Sequence, residues 1–118
     1  MVGANYIPER GDIICLPFTA TARKNYLVIV ITPVVYNQLV GNAIVVSVTD
    51  IKKSNPFEIE IKGKNINGGE ISGQIALADH LQIIDLQVGG SQPWEKWGTL
   101  DDSVLEQISE YVKTILGL

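Results

Sequence analysis

A chain of 118 residues, 46% apolar and 19% charged, has room for one domain, 1–118, and buries enough apolar surface to offset the entropy lost on ordering. Its formal charge of −4 divides into +2 over residues 1–64, with seven basic and five acidic side chains, and −6 over residues 65–118, with two and eight; that balance argues against indiscriminate binding to phosphate chains, whose affinity comes from clustered Lys and Arg. Apolar runs such as 27–31 and 43–46 fall far short of the ~20 residues of a bilayer span, and the start shows no basic-then-apolar leader, so a cytoplasmic protein without membrane contact is expected.

In chain order, β-branched runs broken by turn formers predict strands at 12–18, 26–32, 43–49, 57–62, 74–78 and 81–86. Cys15, the single cysteine, lies in Ile13-Ile14-Cys15-Leu16 and reads as a buried thiol, since one cysteine cannot close an internal disulfide and no zinc motif surrounds it. The second and third strands are almost continuously apolar and belong at the sheet centre. Phe57-Glu58-Ile59-Glu60-Ile61-Lys62 alternates strictly, as a strand with one wet face does. Residues 65–73 hold three glycines and two asparagines and suit a mobile hairpin or extended connection. From Asp101 the period becomes helical, with Val104, Ile108, Tyr111, Val112 and Ile115 on one face. Asp101, Asp102 or Ser103 can cap its start, Ser103 and Glu106 have capping-box spacing, and Gly117 permits a stop. The sum is mainly β with a C-terminal α-helix, a small SH3-like or CcdB-type antiparallel barrel.

Site motifs are sparse. Gly63-Lys64 lacks the rest of a phosphate-binding loop, no zinc spacing occurs, and neither a metal nor a cofactor is expected. His80, the single histidine, follows Ala78-Asp79 at an apparent break between two strands; it suits a general acid or base, and equally a structural or merely exposed histidine at a turn. Arg23, Lys24, Lys52, Lys53, Lys62 and Lys64 sit in loops or strand ends, as a solvated rim or a local basic groove. Trp94 and Trp97, three apart before the helix, either stack on bases from one side of a turn or plug the barrel end.

Several segments fall together in the order of one known family. Tyr6-Ile7-Pro8-Glu9-Arg10-Gly11-Asp12-Ile13-Ile14, with its glycine-aspartate pair before an apolar run, resembles the opening of the MazF/PemK toxins. Residues 27–33 are similar to the family's second strand with its terminal Ser/Thr-Pro, Tyr36-Asn37 to the tyrosine-asparagine that follows, and Val46-Ser47-Val48-Thr49 to the strand carrying the active-site threonine. Pro56-Phe57-Glu58-Ile59, Ile75-Ala76-Leu77-Ala78-Asp79 and the terminal helix ending Leu116-Gly117 match later blocks.

The resemblance implies a toxin of a type II toxin–antitoxin system: a homodimer that binds single-stranded RNA across a groove and cleaves it without metal, using the ribose 2′-hydroxyl as nucleophile, and that pairs with an antitoxin bearing a flexible acidic tail. Thr49 takes the place of the family's threonine. Its catalytic arginine falls on Tyr26, a side chain that donates one hydrogen bond but carries no fixed charge or bidentate fork. Arg23 and His80 are the candidates to complete the catalytic set with Thr49 and Tyr26, and Lys24, Lys52, Lys53 and Asn37 are the candidates for substrate contact. Residues 81–87 lack the basic side chains of many relatives, and residues 65–73 can gate the groove. Two further readings compete with the nuclease: a toxin fold that has lost catalysis and binds a peptide, nucleic acid or protein, and a CcdB-like gyrase inhibitor.

Overall fold

The computed structural model describes residues 7–16, 26–62, 66–67, 74–86 and 95–118. Seven strands, β1 (Asp12–Leu16), β2 (Tyr26–Val30), β3 (Asn42–Thr49), β4 (Glu58–Glu60), β5 (Ile66–Asn67), β6 (Ile75–Asp85) and β7 (Glu95–Leu100), form one curled antiparallel sheet. The order is β4-β6-β3-β2-β1-β7-β5. Among the described residues there are two helices, α1 (Val34–Val40) and the C-terminal α2 (Asp102–Leu116). No helix among the described residues is long and apolar enough to cross a membrane.

The apolar central strands β2 and β3 are buried because both faces of the sheet are covered. Alternation sends Ile13, Cys15, Leu27, Ile29, Val46 and Val48 to one side, where Val104 and Ile108 of α2 close the core with Ile59, Ile61, Ala76 and Ala78. Ile14, Val28, Val30, Ala43, Val45, Ile84 and Leu86 form a second buried cluster on the other. Each fully enclosed isoleucine or leucine contributes about 2 kcal/mol from burial. Leu105 adds a buried side chain that the helical stripe did not include, and Asp101 is the cap selected from the three candidates, its carboxylate accepting the Val104 amide at 3.2 Å. Gly117, at φ 74, ends the helix in the left-handed conformation, and the Leu118 amide returns to the Lys113 carbonyl at 2.9 Å.

Three elements differ from the sequence expectation. Residues 34–40, to which no element was assigned, form α1, because Pro33 fixes an extended N-cap and Gly41 at φ 79 supplies the stop. The strands expected at 74–78 and 81–86 are one strand, β6, whose pairing with β3 jumps from Val46↔Leu81 to Ser47↔Leu77; Ala78, Asp79 and His80 make a bulge and not a break. Trp97 lies in β7, a strand that the sequence reading did not include, and of its two expected roles its ring takes the packing one, lying against the α2-side core. Ile66 and Asn67 of the glycine-rich segment pair with Leu100 and Thr99; the rest of residues 65–73 lies outside the described residues.

Asp12 is 2% exposed and anchors the corner between β1 and β7. Its carboxylate accepts the Glu9 amide at 2.9 Å and pairs with the Lys96 ammonium at 3.3 Å. Gly11 precedes it at φ +97, donating to the Val30 carbonyl and accepting from the Leu100 amide. That conformation favours glycine.

Candidate nucleic-acid interface

The sheet brings two of the expected catalytic positions to the same end of adjacent strands. Val28 of β2 pairs with Ser47 of β3, and two steps further along each strand lead to Tyr26 and Thr49. Tyr26 also opposes Leu16 of β1, so its backbone is held from one side by a paired strand. Thr49 shares the face of Ser47 and Val45, away from the core under α2. It is half-exposed, and its Oγ1 accepts the Ile51 amide at 3.2 Å, which leaves the hydroxyl proton to be donated outward. Beside it in the strand, Ser47 is buried and accepts a hydrogen bond from Gln82 Nε2.

The bulge of β6 presents the third position. His80 has 57% of its side chain exposed and its Nε2 stands 4.0 Å from Asp79 Oδ1, near enough for charge attraction when protonated and too far for a hydrogen bond. The other Asp79 oxygen, Oδ2, accepts from Asn55 Nδ2 at 3.0 Å. Neither Asn55 nor Asp79 was among the candidate site residues, although Asp79 closes one of the segments that resemble the family and precedes His80.

Asn55 belongs to the loop from β3 to β4, which carries Lys52 and Lys53, both exposed. The loop is tied down along its length. Asn55 Oδ1 accepts the Phe57 amide at 2.8 Å, the Asn55 carbonyl accepts the Glu58 amide at 3.1 Å, and the Glu58 carboxylate accepts the Lys53 amide at 3.0 and 3.3 Å. Ser54 adopts φ 59, an uncommon value for a residue with a side chain.

Asn37 is corrected. It is wholly enclosed: its Nδ2 donates to the carbonyls of Pro8 at 2.9 Å and Thr32 at 3.1 Å, and its Oδ1 accepts the Thr32 hydroxyl at 2.6 Å. No polar atom of that amide is left for a substrate. The asparagine belongs to the frame, fastening α1 to the end of β2 and to the segment before β1. Arg23, Lys24 and Trp94 lie outside the described residues, as does the side chain of Tyr26. Among the described residues no group of three or more His, Cys, Asp or Glu side chains gathers to hold a metal ion.

The fold agrees with what the chain is similar to. The family model of the PemK-like, MazF-like toxin of type II toxin–antitoxin systems matches residues 9–116. The endoribonuclease toxin MazF of Escherichia coli (strain K12) is 27% identical over 118 residues, covering 97% of this chain and 98% of that protein. A MazE-MazF crystal structure from Deinococcus radiodurans (Form III) superposes with a TM-score of 0.79 at 27% identity, over 96% of this chain and 99% of that one. A mycobacterial endoribonuclease in complex with its cognate antitoxin has the same fold, with a TM-score of 0.70 at 14% identity over 94% of this chain and 96% of its own. With nearly its whole length matched, the chain belongs to the PemK-like, MazF-like toxin family of type II toxin–antitoxin systems.

Proposed function

We propose that this protein is a toxin that binds single-stranded RNA across the Thr49 end of its sheet and cleaves it without metal, at a rate reduced by the tyrosine in the arginine position. The observation that carries the reading is that Tyr26 and Thr49 lie at the same end of the paired strands β2 and β3, with the exposed His80 bulge on the neighbouring β6 and Lys52 and Lys53 in the loop that follows β3. Cleavage removes the proton of a ribose 2′-hydroxyl, whose oxygen bonds to phosphorus as the 5′-oxygen leaves and takes up a proton. Thr49 donates its hydroxyl proton to a phosphate oxygen, and His80 exchanges the proton at the attacking or leaving oxygen. Tyr26 supplies one hydrogen bond where relatives supply a cation. Losing a placed donor of that kind costs on the order of 10²- to 10³-fold in rate.

The same reading includes a homodimer and an antitoxin. Val35 and Leu39 of α1 are 60% and 81% exposed, and Ile83, opposite Ile44 of β3, is 67% exposed. These apolar side chains border β3 on its helix and β6 sides and suit a contact between two copies. The exposed lysine loop offers the charge that an acidic antitoxin tail complements, and MazE-MazF complexes exist for the relatives from Deinococcus radiodurans.

The test is metal-free cleavage of a long mixed-sequence RNA with mapped ends. Specific cuts by the native protein, absent in Thr49→Ala and accelerated at least ~10²-fold in Tyr26→Arg, are the expected result. A second reading rests on Tyr26 alone: a toxin fold that binds without cutting. Cuts by Tyr26→Arg and none by the native protein establish that reading. No cuts by either variant or native protein overturn the nuclease assignment.

A further inference from the structure

Asp79 has an unusual environment for a carboxylate. Its Oδ2 accepts from Asn55, while Oδ1 is buried and has no hydrogen-bond partner among the described residues, facing the His80 imidazole at 4.0 Å. A buried oxygen left in that state weakens the fold and calls for another explanation. Asn55, for its part, uses both ends of its amide: Oδ1 takes the Phe57 amide and Nδ2 reaches across to Asp79, 24 residues away. This hydrogen bond joins the loop of Lys52 and Lys53 to the bulge of His80. The other side-chain ties of the loop, Thr49 Oγ1 to the Ile51 amide and Glu58 to the Lys53 amide, are exposed and close over short stretches of chain.

We infer that Asn55 and Asp79 are positioning residues: they latch the lysine loop to the β6 bulge, so that Lys52 and Lys53 meet RNA phosphates in fixed register with Thr49 and His80. The inference rests on the RNA-binding reading above. Its physical content is pre-organisation. Two long cationic side chains on a free loop lose backbone and rotamer entropy when they bind, and a loop already tied at Asn55 loses less. The latch therefore acts on affinity and on the number of phosphates held, and not on the proton transfers themselves.

The experiment is anisotropy titration of a labelled, uncleavable 2′-O-methyl single-stranded RNA of mixed sequence, at several salt concentrations. Asn55→Ala is expected to raise Kd on the order of 10-fold and to flatten the salt dependence by about 0.7 in log–log slope for each phosphate that the loop no longer neutralises. Asp79→Ala breaks the same bond from the other side while removing a negative charge. Charge alone predicts tighter binding by that variant; the latch predicts weaker. The exchanged pair Asn55→Asp with Asp79→Asn keeps the net charge, the Phe57 amide acceptor and the bridging hydrogen bond, and is expected to restore both affinity and slope. Urea unfolding of each variant shows which remain folded, and Asp79→Ala decides if Asn55→Ala does not. Native affinity and slope in the folded single variants overturn the latch and leave RNA binding standing. Weak binding that the exchanged pair fails to restore also overturns it. No binding by the native protein overturns the RNA-binding reading, and the latch with it.

Discussion

Asn37 shows how one side chain can do the work of a short stretch of secondary structure. Its amide satisfies the Pro8 and Thr32 carbonyls and the Thr32 hydroxyl, and that hydroxyl in turn accepts the Ile44 amide at 3.1 Å. Together they tie the segment before β1, the end of β2 and the start of α1 at one buried point, so removing the amide strands several polar groups at once. Asn37→Ala is expected to lower the unfolding free energy by about 3 kcal/mol, read from urea denaturation. Under conditions where that variant stays folded, its affinity for single-stranded RNA should equal that of the native protein; a large loss would return Asn37 to the substrate contacts. The dipeptide Tyr36-Asn37 was legible as a family feature, but its burial was not, because the partner carbonyl of Pro8 is 29 residues away.

At the scale of the element, glycine and aspartate divide the labour at the β1 corner. Gly11 takes φ +97, and a Cβ there would lie 3.1 Å from Leu105 Cδ2, so α2 packs directly over the turn. An alanine brings both backbone strain and a forced shift of Leu105. Gly11→Ala is expected to cost about 1–3 kcal/mol in the same denaturation measurement, without changing the helix signal in far-ultraviolet circular dichroism of the folded state. Asp12 then meets Lys96 of β7, adding an ion pair to the backbone ladder by which β7 pairs with β1 and closes the chain's late segment against its beginning. The bulge in β6 does comparable work for the site. Residues 78–80 have no partners in β3, so the bulge releases Asp79 and His80 from the ladder that holds the rest of β6.

Among the described residues α1 gathers the densest run of exposed apolar side chains, while others, such as Ile51 beside Lys52, are scattered among charged ones. Lys52 and Lys53 are exposed on the β3–β4 loop, whereas the exposed apolar side chains Val34, Val35, Leu39 and Val40 occupy α1. Leu39→Asp is therefore expected to convert the proposed dimer to a monomer in sedimentation velocity, without lowering the urea midpoint at a protein concentration where both are monomeric. A native protein that sediments as a monomer at tens of micromolar would overturn the dimer. The sequence by itself determined the fold class, the central place of β2 and β3, the wet face of β4 and the terminal helix with its stop, because alternation and helical period are local consequences of side-chain size and polarity; it left three candidates for the cap, of which the structure selects Asp101. It also determined which family the residues resemble, since the order of its blocks survives along nearly the whole chain. Only the tertiary structure decided that Asn37 is frame, that β6 bulges at His80, that residues 95–100 pair as a strand with β1, and that Asn55 reaches Asp79. Each of these depends on groups far apart in the chain, whose hydrogen bonds and packing gain meaning only when the curled sheet brings them together.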